Sequence, residues 1–132
     1  MTKMVVKNCH EDVYSGISML AYVQSYVSQN VPGALDGSRE TVVSYMFALD
    51  EELHEIAREL QWRPWRDPKI PNPDRVIEET ADSMAFIGIL MVNLAKACGL
   101  SLDEFCRRVS VQYEKVSLKN AERFIDGPEK TL

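Results

Sequence analysis

Residues 38–60 read SRETVVSYMFALDEELHEIAREL, and their pattern predicts a long amphipathic helix. The apolar positions recur at alternating intervals of four and three, the spacing of a helix that packs along a bundle seam. They are Val42, Met46, Leu49, Leu53, Ile56 and Leu60. A second inward-leaning line of residues lies beside this seam and ends in carboxylates. It consists of Tyr45, Ala48, Glu52, Glu55 and Glu59.

Three further helices are predicted around this segment, with no strand pattern between them. Their ranges are Glu11–Gln29, Asn72 or Pro73 to Ala97, and Ser101 to about Phe124, the last opened by a Ser-x-x-Glu capping box. Residues 61–73 hold four prolines and both tryptophans, which predicts a loop. We therefore predict an all-α fold with a four-helix bundle core, a single domain over 1–132, and a loose tail at 126–132.

Composition narrows the class of protein. The chain has 132 residues and a net charge of −5, so non-specific nucleic-acid binding is not expected as its main activity. The three cysteines lack zinc-ligand spacing, and Cys98 and Cys106 fall on apolar helical surface, which predicts buried, reduced thiols. Asn93 and Lys96 interrupt the longest apolar run, and the N-terminus is too short and polar for a signal peptide. We expect a soluble, cytoplasmic protein.

Two pairs of acidic residues lie about one helix length apart. Glu52 and Glu55 form one pair, and Glu79 and Asp82 form the other; each pair has i, i+3 spacing and so shares one helix face. If the two helices pack together, four carboxylates converge. Two like charges ~5 Å apart repel by roughly 3 kcal/mol at an effective dielectric of ~20. Such a cluster needs a divalent cation, and oxygen-only ligands suit Mg²⁺ or Mn²⁺.

Two alternatives compete for these acids. They can be ordinary solvated charge, although a solvated helix face usually interleaves lysine with glutamate. Only Arg58 lies near the first pair, and no basic residue stands between Arg75 and Lys96. A di-iron bundle would require two Glu-x-x-His pairs, and Glu51–His54 has no second copy. Repetition of the acid pair on the two longest helices favours the metal site.

The motif Glu52-x-x-Glu55, followed after a linker by Glu79-x-x-Asp82, resembles the signature of the all-α nucleoside triphosphate pyrophosphohydrolases, the superfamily of MazG-type enzymes and dimeric dUTPases. The similarity covers about Tyr45 to Gly127. It includes an aromatic pair after the first motif, Trp62 and Trp65, and Phe86 four residues after Asp82, as in the dUTPase branch. That branch also has a Tyr-x-x-Lys-x-x-x-Asn-x-x-Arg-x-x-x-Gly element, which is matched by Tyr113, Asn120, Arg123 and Gly127. The lysine position is occupied by Val116, with Lys115 and Lys119 near it. Pro128 stands where an aromatic residue is usual.

The resemblance implies that the four acids bind Mg²⁺, for which Mn²⁺ can substitute, and that water cleaves a deoxynucleoside triphosphate to the monophosphate and pyrophosphate. Glu55 or Glu52 would accept the proton of that water. Phosphate contacts would come from the end of the last helix, whose plainer role is a favourable basic C-terminus. The implied contacts are Lys119, Asn120, Arg123 and Tyr113.

The sequence leaves two roles open for each of several aromatic and polar residues. Trp62 and Trp65 either stack on a base or pack the loop onto the bundle. Phe86, with Tyr45 and Asn93, either lines a sugar and base pocket or belongs to the core. Within this family dUTP is modestly favoured as substrate over dCTP or a purine deoxynucleotide. The alternative from another class is a non-enzymatic helical interaction protein.

Self-association is expected because each of the two acidic helices has a second inward-leaning line of residues beside its apolar seam. Together they carry more apolar surface than one four-helix unit can cover. On the third helix the second line is Glu79, Asp82, Phe86, Ile89 and Asn93. The first helix adds Met19, Tyr22 and Tyr26 away from its main seam. The resemblance implies a homodimer or homotetramer, and no nucleic-acid or membrane partner is expected.

Overall fold

A computed structural model describes residues 9–126. It contains four α-helices, α1 (His10–Val27), α2 (Arg39–Glu59), α3 (Pro73–Ala97) and α4 (Leu102–Ala121), and α4 continues into a π-helical turn at Glu122–Asp126. No strand occurs within residues 9–126. The all-α prediction is therefore confirmed, and the four helices begin and end close to their predicted residues. The predicted loose tail lies, apart from Asp126, outside the described residues.

Local chemistry accounts for the helix boundaries. The side chains of Ser38, Asn72 and Ser101 each accept a backbone N–H from the first turn of the helix that follows. Glu104 does not return the bond that a full capping box would make, because its carboxylate lies 2.7 Å from Nε of Arg108. Gly99, with φ of +70°, provides the left-handed residue that ends α3.

The central helix is α3, which packs against α1, α2 and α4, while α1 also packs against α4. The buried core lies between α1, α3 and α4 and consists of Ala21, Met91, Val92 and Cys106. α2 is a flanking helix that packs chiefly on α3 and has no buried residue. α3 also has the length and apolar composition of a membrane span. Of the 18-residue stretch that fits a membrane span, 39% is buried inside the molecule.

The predicted apolar seams are only partly buried. In α3 the predicted seam is covered from Gly88 onward, whereas Ile77 near its N-terminus is 66% exposed. This seam consists of Ile77, Ala81, Met84, Gly88, Met91 and Ala95. In α2 the seam is about half exposed at Met46, Leu53 and Leu60. The seam prediction was wrong at these positions because α2 packs chiefly on α3 and is not enclosed by the other helices. Exposure of the extra apolar residues of α1 is as predicted, at Met19, Tyr22 and Tyr26.

Asn93 is the most completely buried polar residue of α3 and ties the α1–α2 loop to the core. Its side-chain amide donates to the carbonyl oxygens of Ala34 and Ile89, and its Oδ1 accepts the N–H of Gly37, each at 2.9 Å. Both of its amide N–H groups and its Oδ1 have partners within the chain, which supports the interpretation of Asn93 as a core residue.

The cysteines differ from one another. Cys106 is buried, as predicted, and burial raises the pKa of its thiol. Cys98 is exposed, so its predicted burial was wrong. It occupies the C-cap of α3, where the chain turns away from the apolar face.

Candidate metal centre

Three acidic residues converge where α2 lies beside α3. One carboxylate oxygen from each of Glu52, Glu79 and Asp82 lies within 4.8 Å of the other two. Glu52 and Glu79 are partly buried and Asp82 is exposed, so the cluster is open to solvent on one side. The helical i, i+3 spacing brings Glu79 and Asp82 to the same face of α3, opposite Glu52 of α2. An all-oxygen set of this kind suits a hard cation such as Mg²⁺.

Glu55, the fourth predicted acid, is not among these converging oxygens. Its Oε1 lies 2.7 Å from an Nη of Arg58, one turn further along α2. The expectation that all four acids converge is thus not met, because an i, i+3 ion pair on the same helix holds Glu55 aside. Its charge is still felt at Glu52, where it contributes to an altered pKa.

The other acids of the cluster alter the ionisation of Glu52. The neighbouring Glu79 carboxyl, with which a protonated Glu52 can share its proton, is the main reason that the pKa of Glu52 rises to about 7. Burial and the negative charges of Glu79, Asp82 and Glu55 act in the same direction. Oε2 of Glu52 is fully buried and has no hydrogen-bond partner among residues 9–126. A buried oxygen without a partner is unfavourable, and either a proton or a cation would relieve it.

The other acid of the α2 stripe has an ordinary structural role. Glu59 accepts the backbone N–H of Asn72 at 3.1 Å and lies 3.5 Å from Nζ of Lys69. These contacts lower the pKa of the Glu59 carboxyl, the Asn72 N–H being the largest cause. Glu59 therefore anchors the end of the proline-rich loop at the start of α3.

Aromatic residues flank the cluster along the same stripes. The Tyr45 ring on α2 and the Phe86 ring on α3 have centroids 6.3 Å apart, so they bridge the two helices beside the acids. Both residues are half-buried. Trp62 and Trp65 form an edge-to-face pair, with centroids 5.9 Å apart, in the loop after α2. They are 59% and 71% exposed, so neither ring is buried against the helices of its own chain.

The predicted phosphate contacts lie far from the acids within one chain. Tyr113, Lys119, Asn120 and Arg123 are all exposed on α4 and the π-helical turn. α4 runs towards the start of α1, where Glu114 contacts His10. Ala81, beside Asp82, instead shares a cleft with Val23 near the end of α1. His10 and Val23 are about 20 Å apart at 1.5 Å per helical residue, so one chain does not bring the two groups together.

Sequence analysis missed a basic pocket of about 290 Å³ at the end of α2. Trp62 was singled out, but the three residues that line the pocket with it were not: His54, Arg58 and Arg63. The signal was present, because His54, Arg58 and Trp62 are spaced four residues apart.

Comparison with models of protein families, with curated proteins and with solved structures finds no match to this chain. Its function is therefore inferred from its own residues.

Proposed function

We propose that this protein is a Mg²⁺-dependent pyrophosphohydrolase of the all-α, MazG-like type, which converts a deoxynucleoside triphosphate to the monophosphate and pyrophosphate. The observation that carries the proposal is the convergence of Glu52, Glu79 and Asp82 from two helices around a buried oxygen of Glu52 that has no hydrogen-bond partner among residues 9–126. Glu79 lies 4.0 Å from an Nη of Arg75, so within the cluster it is Oε2 of Glu52 that lacks, among the described residues, the basic or N–H partner that a structural acid such as Glu59 has.

The residues of the cluster fit a magnesium ion. Glu52, Glu79 and Asp82 would hold it, and the ion when bound would offset the negative charge of a triphosphate and favour ionisation of water. Hydrolysis transfers the water oxygen to the α-phosphorus, breaks the bond to the bridging oxygen of the β-phosphate, and requires a base for the water proton. Glu55 is our first candidate for that base and Glu52 the second, because Glu55 is not one of the three converging carboxylates.

A deoxynucleotide substrate is supported by the aromatic residues near the acids. Tyr45 and Phe86 bridge α2 and α3 beside the cluster and can restrict the space for a sugar, while Trp62 and Trp65 offer exposed rings to a base. We favour dUTP over dCTP or a purine deoxynucleotide, with the choice set by a few pocket contacts. A cytoplasmic location is part of the proposal.

We further propose that the active form is a homodimer or homotetramer. The exposed apolar residues of α1 and α2 provide a surface that a second copy would cover. The distance between the acids and the basic end of α4 supports the same conclusion, since Lys119, Asn120 and Arg123 of one chain could reach phosphate only at the site of another.

The exposed apolar surface also favours a second candidate, a helical interaction protein without catalysis. The two candidates differ in one measurement: magnesium-dependent release of pyrophosphate from each deoxynucleoside triphosphate, compared with the same assay in excess chelator. We expect release with Mg²⁺ or Mn²⁺ only. Absence of release from every nucleotide would refute the enzyme and leave the interaction protein.

Site-directed variants connect the activity to the cluster. Asp82→Asn and Glu79→Gln should each reduce the rate at least 100-fold by removing a ligand charge. Glu78→Gln is the matched control, because Glu78 is an exposed acid of the same helix that is not among the converging residues. Wild-type rates in both cluster variants would show that hydrolysis occurs elsewhere.

A further inference from the structure

The pocket at the end of α2 combines cationic and aromatic side chains. It is lined by His54, Arg58, Trp62 and Arg63 and has a volume of about 290 Å³, at the lower end of small-molecule sites. His54 and Arg58 lie about 160° and 120° around α2 from Glu52 at 100° per residue, so neither shares the helix face of the converging acid. The pocket is therefore a feature separate from the metal centre.

An unusual helix end forms the pocket. Gln61 has φ of +48°, in the left-handed region where glycine is usual at this position. The N–H groups of Gln61 and Trp62 donate back to the carbonyl oxygens of Arg58 and Ala57, both at 3.2 Å, and this turns Trp62 back over the last turn of α2. The reversal brings the indole beside Arg58.

Gln61 also supplies something that glycine could not. Its Oε1 accepts a hydrogen bond from Nε of Arg63 at 3.2 Å, and the Arg63 guanidinium carbon lies 5.9 Å from the centroid of the Trp62 ring. The guanidinium is thus positioned near the indole, and its two Nη groups are left for another acceptor. Arg63 has no carboxylate partner among the described residues.

Three basic side chains line the pocket, and two of them already have acidic neighbours: His54 lies 3.8 Å from Asp50, and Arg58 lies 2.7 Å from Glu55. Positions 58–69 contain four basic and two acidic residues, although the whole chain has a net charge of −5. One of the two acids, Glu59, is already held by Lys69 and by the N–H of Asn72. Arginine side chains present paired N–H groups that match phosphate oxygens, and an exposed indole offers a face for an aromatic ring.

We infer that this pocket binds a nucleoside phosphate, with its phosphate on Arg58 and Arg63 and its base on Trp62. The pocket shares Trp62 with the base contact proposed for the hydrolase, but it does not use the converging acids, so binding measured without metal tests it separately from the proposed hydrolysis. One contact connects the two sites. Arg58 pairs with Glu55 at 2.7 Å, and a phosphate in the pocket would compete with that carboxylate for the guanidinium.

Tryptophan fluorescence tests the inference with the full-length chain in excess chelator, so that the metal centre cannot contribute. A Trp65→Phe background leaves Trp62 as the single reporter. We expect a saturable change on titration with a nucleoside 5′-monophosphate, weaker competition by inorganic phosphate, and no saturation with the unphosphorylated nucleoside at the same concentrations. No saturable response to the monophosphate, or an equal response to the nucleoside, would overturn the inference.

Charge variants then locate the site. Arg58→Gln and Arg63→Gln should each weaken monophosphate binding about tenfold. Arg66→Gln, the matched control, removes the same charge from the same loop outside the pocket and should weaken it less than threefold. Equal losses in all three would indicate non-specific attraction and refute the pocket. Glu55→Gln should strengthen binding severalfold by releasing Arg58. Glu51→Gln removes an exposed acid of α2 that has no ion pair among residues 9–126, and it should have a smaller effect. Equal effects of the two variants would refute the competition at Arg58.

Discussion

Replacing Gly88 by alanine tests how closely α1 and α3 pack. A Cβ atom at Gly88 would lie 2.2 Å from the Leu20 carbonyl oxygen, which is backbone and cannot rotate away, so that the two helices must separate. A separation of about 1 Å forfeits a quarter to a half of each van der Waals contact that it affects. We estimate a cost of about 3 kcal/mol from overpacking, offset by about 1 kcal/mol of improved helix propensity. The net loss is about 2 kcal/mol.

Gly16→Ala is the matched control, because a Cβ at this helical glycine meets nothing within 4 Å. It should gain up to about 1 kcal/mol through helix propensity. For a chain of this length, 1 kcal/mol corresponds to about 4 °C in Tm. Melting both variants at one protein concentration should therefore give a Tm about 8 °C below wild type for Gly88→Ala and up to about 4 °C above it for Gly16→Ala. A Gly88→Ala protein as stable as wild type would refute the described α1–α3 contact.

Three further variants test the core, the metal centre and the exposed surface. Asn93→Ala should lower the free energy of unfolding in urea by about 3 kcal/mol, because three buried hydrogen bonds are lost at about 1 kcal/mol each; a loss under about 1 kcal/mol would contradict their importance. Asp82→Asn should raise Tm in excess chelator by removing like-charge repulsion, and should abolish the rise in Tm that Mg²⁺ gives wild type; a retained magnesium effect would count against the cluster. Tyr26→Lys places a charge on a side chain that is 74% exposed on α1 and should shift the protein towards monomer in analytical ultracentrifugation, whereas an unchanged mass would exclude this face from the interface.

The helices could be predicted because their signals are local. The spacing of apolar residues indicates each helix, and capping residues define its ends from within a few positions. These residues are the N-caps Ser38, Asn72 and Ser101, and Gly99 at the end of α3. The spacing of apolar residues also identifies which face of a helix avoids water. It does not tell whether that face is covered by the same chain or by another molecule, which is why Met46 and Leu53 were predicted in the seam and are half exposed.

The site was predictable to the same extent. Helical spacing brought Glu79 and Asp82 to one face, and the parallel stripe on α2 identified Glu52. Glu55 lies on the same face of α2 as Glu52. Its spacing is compatible both with the acidic cluster and with an ion pair to Arg58, and the structure has the ion pair. The direction of α4 depends on the angle of the turn at residues 98–101. Spacing along the chain carries no information about that angle, so it left open whether Arg123 reaches the acids of its own chain or those of a second copy.

The pH dependence of stability distinguishes a site acid from a structural one. The pKa of Glu59 is lowered by its N–H and lysine partners, so its contribution to stability is present above the unfolded pKa and is lost only as the pH falls. Glu52 has the opposite sign: its folded pKa is raised to about 7 from 4.5, so its contribution is fully present below pH 4.5 and is lost as the pH rises through about 7.

In excess chelator, the free energy of unfolding of wild type should therefore fall between pH 5 and pH 8 relative to that of Glu52→Gln, whose amide cannot ionise. Glu51→Gln, the exposed neighbour, should retain the wild-type profile. Parallel profiles for wild type and Glu52→Gln would refute the environment described for Glu52. A carboxylate that destabilises its own fold at neutral pH is better explained by a ligand that neutralises it than by packing, because replacing it with glutamine would otherwise improve stability at no cost.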